Sequence, residues 1–258
     1  DSFLKFAKEK GCAYMATGHY AKRVEIDGHV YLKKAADLNK DQTYFLSQLN
    51  EEQIASCLFP LGDIDKPEVR RIAEELALPI AHKKDSTGVC FIGERNFKAF
   101  LQNYLPATPG KMVDINGKVL GTHDGVMYYT IGQRKGLGIG GEGDPWFVVG
   151  KDVLSNTLYV GQGKLQELLF ANRVIVTNPS FFNEKPLNNT HLTAKFRYRQ
   201  KDIGVVINWI DENTLEVLTD IPVKAITPGQ ACVFYDGEYC LGGGTIDKVY
   251  MNDVLRKY

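Results

Sequence analysis

The sequence predicts an α/β domain with a partial parallel sheet, followed by two β modules, the last of them a small antiparallel barrel. Three observations lead there. Up to about residue 105, apolar residues recur at helical spacing around one mostly apolar run, CAYMATGHYA, the pattern of a strand covered on both faces. From Pro106 the apolar period changes to two, and Gly, Pro and Asn-Gly punctuation becomes dense. From about residue 164 short strands follow one another at nearly even spacing, as in small barrels. The expected division is therefore 1–105, 106–163 and 164–258.

Each element has a local reason. The opening DSFLKFAKEKG is amphipathic, with Phe3, Leu4, Phe6 and Ala7 apolar and Gly11 as a stop. It starts at Asp1 with no initiator Met, and only one helix and one strand precede Ala21. A parallel strand needs partners, so the reading expects the chain to begin inside a domain whose earlier βα units lie upstream. VEIDGHVYLKK is a hairpin about Asp27-Gly28. NKDQTYFLSQL and NEEQIASCLF read as helical. KPEVRRIAEELAL is a helix with Asp65 as N-cap and Val69, Ile72, Ala73 and Leu76 as its apolar stripe. After the polar loop HKKDSTG and the run VCFIG, NFKAFLQNYL closes the first segment as a helix. KMVDINGKVLG turns at Asn116-Gly117 and PWFVVGKDVLSNTLYVG at Ser155-Asn156, and the glycine-rich YYTIGQRKGLGIGGEGD between them is an ordered surface loop. RVIVT, HLTAKFRYRQ, GVVINWI, TLEVLTD, ACVFYD and YCLGGGTI supply the barrel strands.

Composition narrows the classes. The 258 residues are 44% hydrophobic and carry 31 Lys+Arg against 31 Asp+Glu, which excludes a disordered chain. Each predicted segment is itself neutral, so an anionic partner must be held by local patches. No stretch approaches the ~18 uncharged apolar residues of a membrane span. Five cysteines without a CxxC pair point to a reducing, cytoplasmic compartment, and five histidines without HxxxH spacing argue against structural zinc.

Three strings carry candidate chemistry. Gly18 and His19 end the apolar strand, where ligands sit in open α/β sheets; the plain alternative is a relieved contact and a surface histidine. Cys90 follows His82, Lys83 and Lys84, and nearby cations lower a thiol pKa as a nucleophilic or persulfide-bearing cysteine requires. Its neighbours Val89, Phe91 and Ile92 equally suit an inert buried thiol, the reading given to Cys12, Cys57, Cys232 and Cys240. In KFRYRQK a strand period puts Lys195, Arg197, Arg199 and Lys201 on one face. A phosphate backbone would answer that charge, and so would Asp211, Glu212, Glu216 and Asp220 on neighbouring strands. Arg134 and Lys135 beside mobile glycines offer a second, weaker backbone contact.

Taken in order, ATGHYA, NKDQTYFL, DSTGVCFIG, GTHDGVMYYTIGQRKGLGIGG, AKFRYRQ and ITPGQACVFY closely resemble the bacterial tRNA-specific 2-thiouridylases over essentially the whole chain. The resemblance implies an ATP-pyrophosphatase-type catalytic domain. The implied activity is ATP-dependent replacement of the C2 oxygen of the wobble uridine, tRNA position 34, by sulfur, releasing AMP and pyrophosphate. Cys90 is then the persulfide-bearing cysteine, supplied by a sulfur-relay protein or a cysteine desulfurase. Gly18 is implied at ATP, with Mg2+ accompanying the nucleotide, and tRNA contacts fall to His19, Lys40, Asp41, Gln42, Arg197, Tyr198 and Gln230. Two family features have no counterpart here: the SGGxDSS pyrophosphate loop and an upstream cysteine that can form a disulfide with the persulfide cysteine. The leading expectation is therefore an enzyme fragment that does not complete the reaction alone. A non-catalytic tRNA-docking module is the alternative, and a uridine methyltransferase is disfavoured because no glycine-rich methyl-donor site is visible.

Overall fold

The computed structural model describes residues 2–82 and 97–256. In chain order the elements are α1 (Ser2–Glu9), β1 (Met15–Ala16), β2 (Ala21–Ile26), β3 (His29–Lys34), α2 (Thr43–Leu46), α3 (Glu51–Ala55), β4 (Cys57–Leu58), α4 (Lys66–Glu75) and α5 (Phe97–Gln102). Then come β5 (Gly110–Val113), β6 (Val119–His123), β7 (Phe147–Asp152), β8 (Thr157–Gly161), β9 (Phe170–Phe181), β10 (Thr190–Lys195), β11 (Ile203–Asp211), β12 (Thr214–Lys224), β13 (Ala231–Asp236), β14 (Tyr239–Met251) and β15 (Val254–Leu255). These pack as two units. The first comprises the chain up to His82, Asn172–Ile221 and Pro228–Lys248; the second comprises the described residues up to Ala171, Pro222–Thr227 and the chain from Val249 on.

In the first unit, β1 and β4 pair in parallel, Met15 opposite Cys57 and Ala16 opposite Leu58. The long apolar strand expected over CAYMATGHYA is two residues long, and among the described residues β4 is its one partner. Before it, α1 ends with Gly11 N–H on Lys8 C=O (2.9 Å) and Cys12 N–H on Ala7 C=O (3.0 Å), a glycine C-cap that leaves Cys12 exposed rather than in the core. Asp27 and Gly28, both at positive φ, join β2 to β3 in the two-residue turn whose twist suits a hairpin. α4 starts where its N-cap predicts, the Asp65 carboxylate accepting from Glu68 N–H, but its stripe is only half-buried and Leu76 is exposed. The helix expected over NKDQTYFLSQL contracts to α2.

Six antiparallel strands, β13-β10-β11-β12-β9-β14, close into a barrel through the β13–β14 pairing. Closure needs glycine at one point in particular. A Cβ on Gly242, at φ 135°, would lie 2.0 Å from the Ser180 carbonyl oxygen, so only a bare backbone lets β14 pass β9 there. β3 then extends the sheet by pairing with β14, Leu32 opposite Cys240. Ala21, Leu32, Tyr44, Ile54, Val233, Tyr235 and Cys240 form one buried cluster joining the N-terminal hairpin and helices to the barrel wall.

The second unit holds a four-stranded sheet, β6-β5-β8-β7, in which β5 and β8 run parallel. Both expected hairpins form, β5–β6 and β7–β8. Met112, Phe147, Val148, Leu158 and Val160 make its core, and Ile131 and Leu137 pin the glycine-rich loop to it. Gln133 ties the loop to itself, its Oε1 accepting from Thr130 N–H (3.0 Å) and its Nε2 donating to Lys135 C=O (3.0 Å).

Candidate nucleic-acid interface

The segment between β3 and α2 is built around two carboxylates. Asp37 Oδ1 accepts from Asn39 N–H (3.0 Å) and its Oδ2 from Lys66 N–H (3.1 Å), which turns the chain back. Asp41 is buried, its Oδ1 accepting from Ala35 N–H (3.1 Å) and its Oδ2 from the Thr43 hydroxyl (2.7 Å). Gln42 faces the other way. Its Oε1 accepts from Tyr20 N–H (3.0 Å) and its own N–H donates to Tyr20 C=O (2.8 Å), so the KDQ string is tied to the residue beside His19.

The KFRYRQK string is not the extended strand that its alternation suggests. β10 stops at Lys195, and residues 196–200 fold into a tight turn with Arg199 at φ 66°. Gln200 causes it: its Oε1 accepts from Phe196 N–H (2.8 Å), and its N–H donates to Arg197 C=O (3.2 Å). The four cations therefore do not share one strand face. Of the acids expected to answer them, Glu216 is engaged elsewhere. It pairs with Arg173 (3.2 Å), whereas Lys195 lies 3.6 Å from Asp202 and 3.9 Å from Asp41.

The turn and the KDQ loop, about 160 residues apart in the chain by simple numbering, line one groove of about 650 Å³. Its walls include Lys34, Lys40, Lys195, Arg199 and Lys201 against Asp41 and Asp202, five cations to two carboxylates. The inner cations are neutralised within the protein. Lys34 is buried, pairs with Asp202, donates to Gly237 C=O (3.0 Å) and sits 4.5 Å from the Tyr235 ring centroid. Arg199 and Lys201 are exposed at the groove, where their charge is available to a solvent-borne anion. Tyr198 lines it as well, its ring 4.5 Å from Phe45 and 5.6 Å from the Arg199 guanidinium. Below, burial pushes the Tyr44 phenol up to about 12, with Cys232 adding to the rise and Arg197 opposing it; it stays a neutral donor to Ala231 C=O (2.9 Å).

The other expected site residues lie elsewhere. His19 Nδ1 is 2.6 Å from the Thr17 hydroxyl, and burial lowers its pKa. A Cβ at Gly18 would project into open space. Gln230 precedes β13, its carbonyl accepting from Ile246 N–H (2.8 Å). Sequence reasoning missed Lys34 and Asp202 as groove residues and Phe45 as its neighbour; only the position of Asp202, directly after the cationic string, hinted at pairing.

Three family models match consecutive stretches: tRNA methyl transferase HUP domain over residues 1–94, tRNA methyl transferase PRC-barrel domain over 98–162, and Aminomethyltransferase beta-barrel domain over 171–246. The chain is 57% identical over 250 residues to the tRNA-specific 2-thiouridylase MnmA of Bacillus cytotoxicus, and equally to those of Bacillus thuringiensis and Bacillus anthracis. The alignments cover 96% of this chain and 67% of each relative. The chain belongs to the tRNA-specific 2-thiouridylase family.

Cys90, the cysteine expected to carry the persulfide, lies outside the described residues. The four described cysteines are free. Burial raises the thiol pKa of Cys57 and Cys232 and brings Cys240 to about 12, so none of these three forms a thiolate readily at neutral pH. Among the described residues no cluster of three or more His, Cys, Asp or Glu is placed to hold a metal, and no helix is long and apolar enough to cross a membrane.

Proposed function

We propose that this 2-thiouridylase family member acts in 2-thiolation of the wobble uridine of tRNA, and that the Lys40/Arg199/Lys201 groove holds the tRNA backbone. The observation that carries the reading is the convergence of Lys40 and Asp41 with Tyr198, Arg199, Gln200 and Lys201 on one cationic groove in a chain of this family. A groove of lysine and arginine beside aromatics suits phosphates flanking unpaired nucleotides.

A uracil C2 oxygen leaves poorly. In the proposed sequence, ATP transfers AMP to that oxygen with loss of pyrophosphate, and the terminal sulfur of a Cys90 persulfide attacks C2 as AMP departs. The remaining S–S bond is cleaved by a second thiol, which ends as the disulfide partner of Cys90 while sulfur stays on the base. A sulfur-relay protein or cysteine desulfurase recharges Cys90. Gly18 fits the nucleotide because it follows a parallel strand and leaves the space of a Cβ open. The target uridine must leave the anticodon stack to react.

Within this reading His19, Lys40, Arg197, Tyr198 and Gln230 contact the tRNA. Asp41 and Gln42 act as positioning residues, since their side chains bond the protein's own backbone and thereby set the loop that carries Lys40. The test is mass spectrometry of digested tRNA from cells whose chromosomal gene carries Cys90→Ser. Loss of 2-thiouridine with tRNA affinity retained is expected; undiminished 2-thiouridine removes Cys90 from the chemistry.

A further inference from the structure

We propose that Phe45 and Tyr198 form a stacking site for an unpaired nucleobase, at the edge of the groove that holds the RNA backbone. The inference rests on the proposed tRNA-binding role and adds to it a residue, Phe45, and a chemical class of ligand.

Phe45 sits on α2, where Thr43, Tyr44 and Leu46 are all buried, and Ser47 directly after the helix is buried too. The helix is therefore fixed by its inner side, and Phe45 alone points out, 56% exposed. An exposed phenylalanine by itself is unremarkable. Three further features give this one a direction. Its ring packs against that of Tyr198, centroids 4.5 Å apart and inclined by 44°, so Tyr198 buttresses a Phe45 ring that still presents exposed surface. Tyr198 in turn lines the cationic groove. The surface is also held still: Tyr44, 5.6 Å from Phe45 and 6.3 Å from Tyr198, is anchored by its hydroxyl to Ala231, and the Tyr198 turn is locked by Gln200.

Aromatic rings beside a positively charged track are what single-stranded nucleic acid requires, since phosphates follow the charge and each base presents a π-face. A paired base cannot use them, because both its faces are covered within the helix. Charge complementarity thus selects RNA as the occupant, and the aromatic pair selects an unpaired position in it. Phe45 makes no phosphate contact in this arrangement, so its loss should change affinity without changing salt dependence.

The experiment measures binding of tRNA, and of a blunt RNA duplex of similar charge, to the wild-type chain, Phe45→Leu and Phe45→Trp over a salt series. Loss of one stacked base predicts roughly 5- to 100-fold weaker tRNA binding by Phe45→Leu at an unchanged salt slope, near-wild-type binding by Phe45→Trp, and duplex binding that is the same for all three. Wild-type tRNA affinity in Phe45→Leu overturns the stacking site and leaves the tRNA-binding reading standing. A parallel loss of duplex binding, or failure of Phe45→Trp to bind like the wild type, overturns it as well. If the wild-type chain does not bind tRNA, both readings fall.

Discussion

Gln42 and Tyr20 exchange two hydrogen bonds, the Gln42 side chain accepting from Tyr20 N–H at 3.0 Å and the Gln42 N–H donating to Tyr20 C=O at 2.8 Å. Two of the strings that resemble the family's, ATGHY and KDQ, are thereby one structural piece. A disturbance of either should be felt at the other.

Gln42→Ala should therefore destabilise the protein by about 1–3 kcal/mol, because it strips the partner from the N–H of a buried tyrosine. Gln42→Glu keeps the acceptor and should come close to wild type. Urea denaturation of both variants checks this; equal stability of Gln42→Ala and wild type would mean that water replaces the side chain.

Asp202 predicts opposite signs in two measurements. It pairs with Lys34 and lies 3.6 Å from Lys195, so Asp202→Asn should lower stability by about 1–3 kcal/mol. The same change removes a carboxylate from the groove and should tighten tRNA binding at low salt several-fold. Weaker binding would show that the carboxylate orders the groove more than it repels RNA.

His123 sets an expected acid sensitivity in the second unit. Its Nδ1 accepts from Gly125 N–H (3.0 Å) and its Nε2 faces Asn156 C=O (3.1 Å), an arrangement for the neutral ring, and burial lowers its pKa below 6.5. The unfolded ring takes up a proton near 6.5 while the folded ring does not, so acid favours unfolding. The stabilisation is whole above pH 6.5 and is lost as pH falls from there through the depressed folded value. Thermal melts from pH 8 to pH 5 should show this decline, and His123→Gln should flatten it. His19, also lowered by burial, contributes with the same sign in the first unit.

The local chemistry of turns and caps was legible in the sequence: Asp27-Gly28, Asn116-Gly117 and the Asp65 N-cap each work through residues within a few positions. What failed depended on a side chain's choice of backbone partner or on which strands pair. Alternation in KFRYRQK implied a straight strand, yet Gln200 bends it by bonding Phe196 N–H, a choice that period counting does not register. CAYMATGHYA has the composition of a long parallel strand but the described residues give it one two-residue partner. The site was legible as strings and not as a place. Nothing in either string says that KDQ and the RYRQK turn meet, because their meeting follows from β3 joining β14 and β13 joining β10.

The groove itself is tested most directly by the salt dependence of tRNA binding to wild type, Lys40→Ala and Arg199→Ala. Each cation that holds a phosphate accounts for about 0.7–0.9 in the slope of log K against log salt. Each substitution should weaken binding and reduce the slope by about that amount. Slopes and affinities identical to wild type in both variants would contradict the groove as the tRNA site.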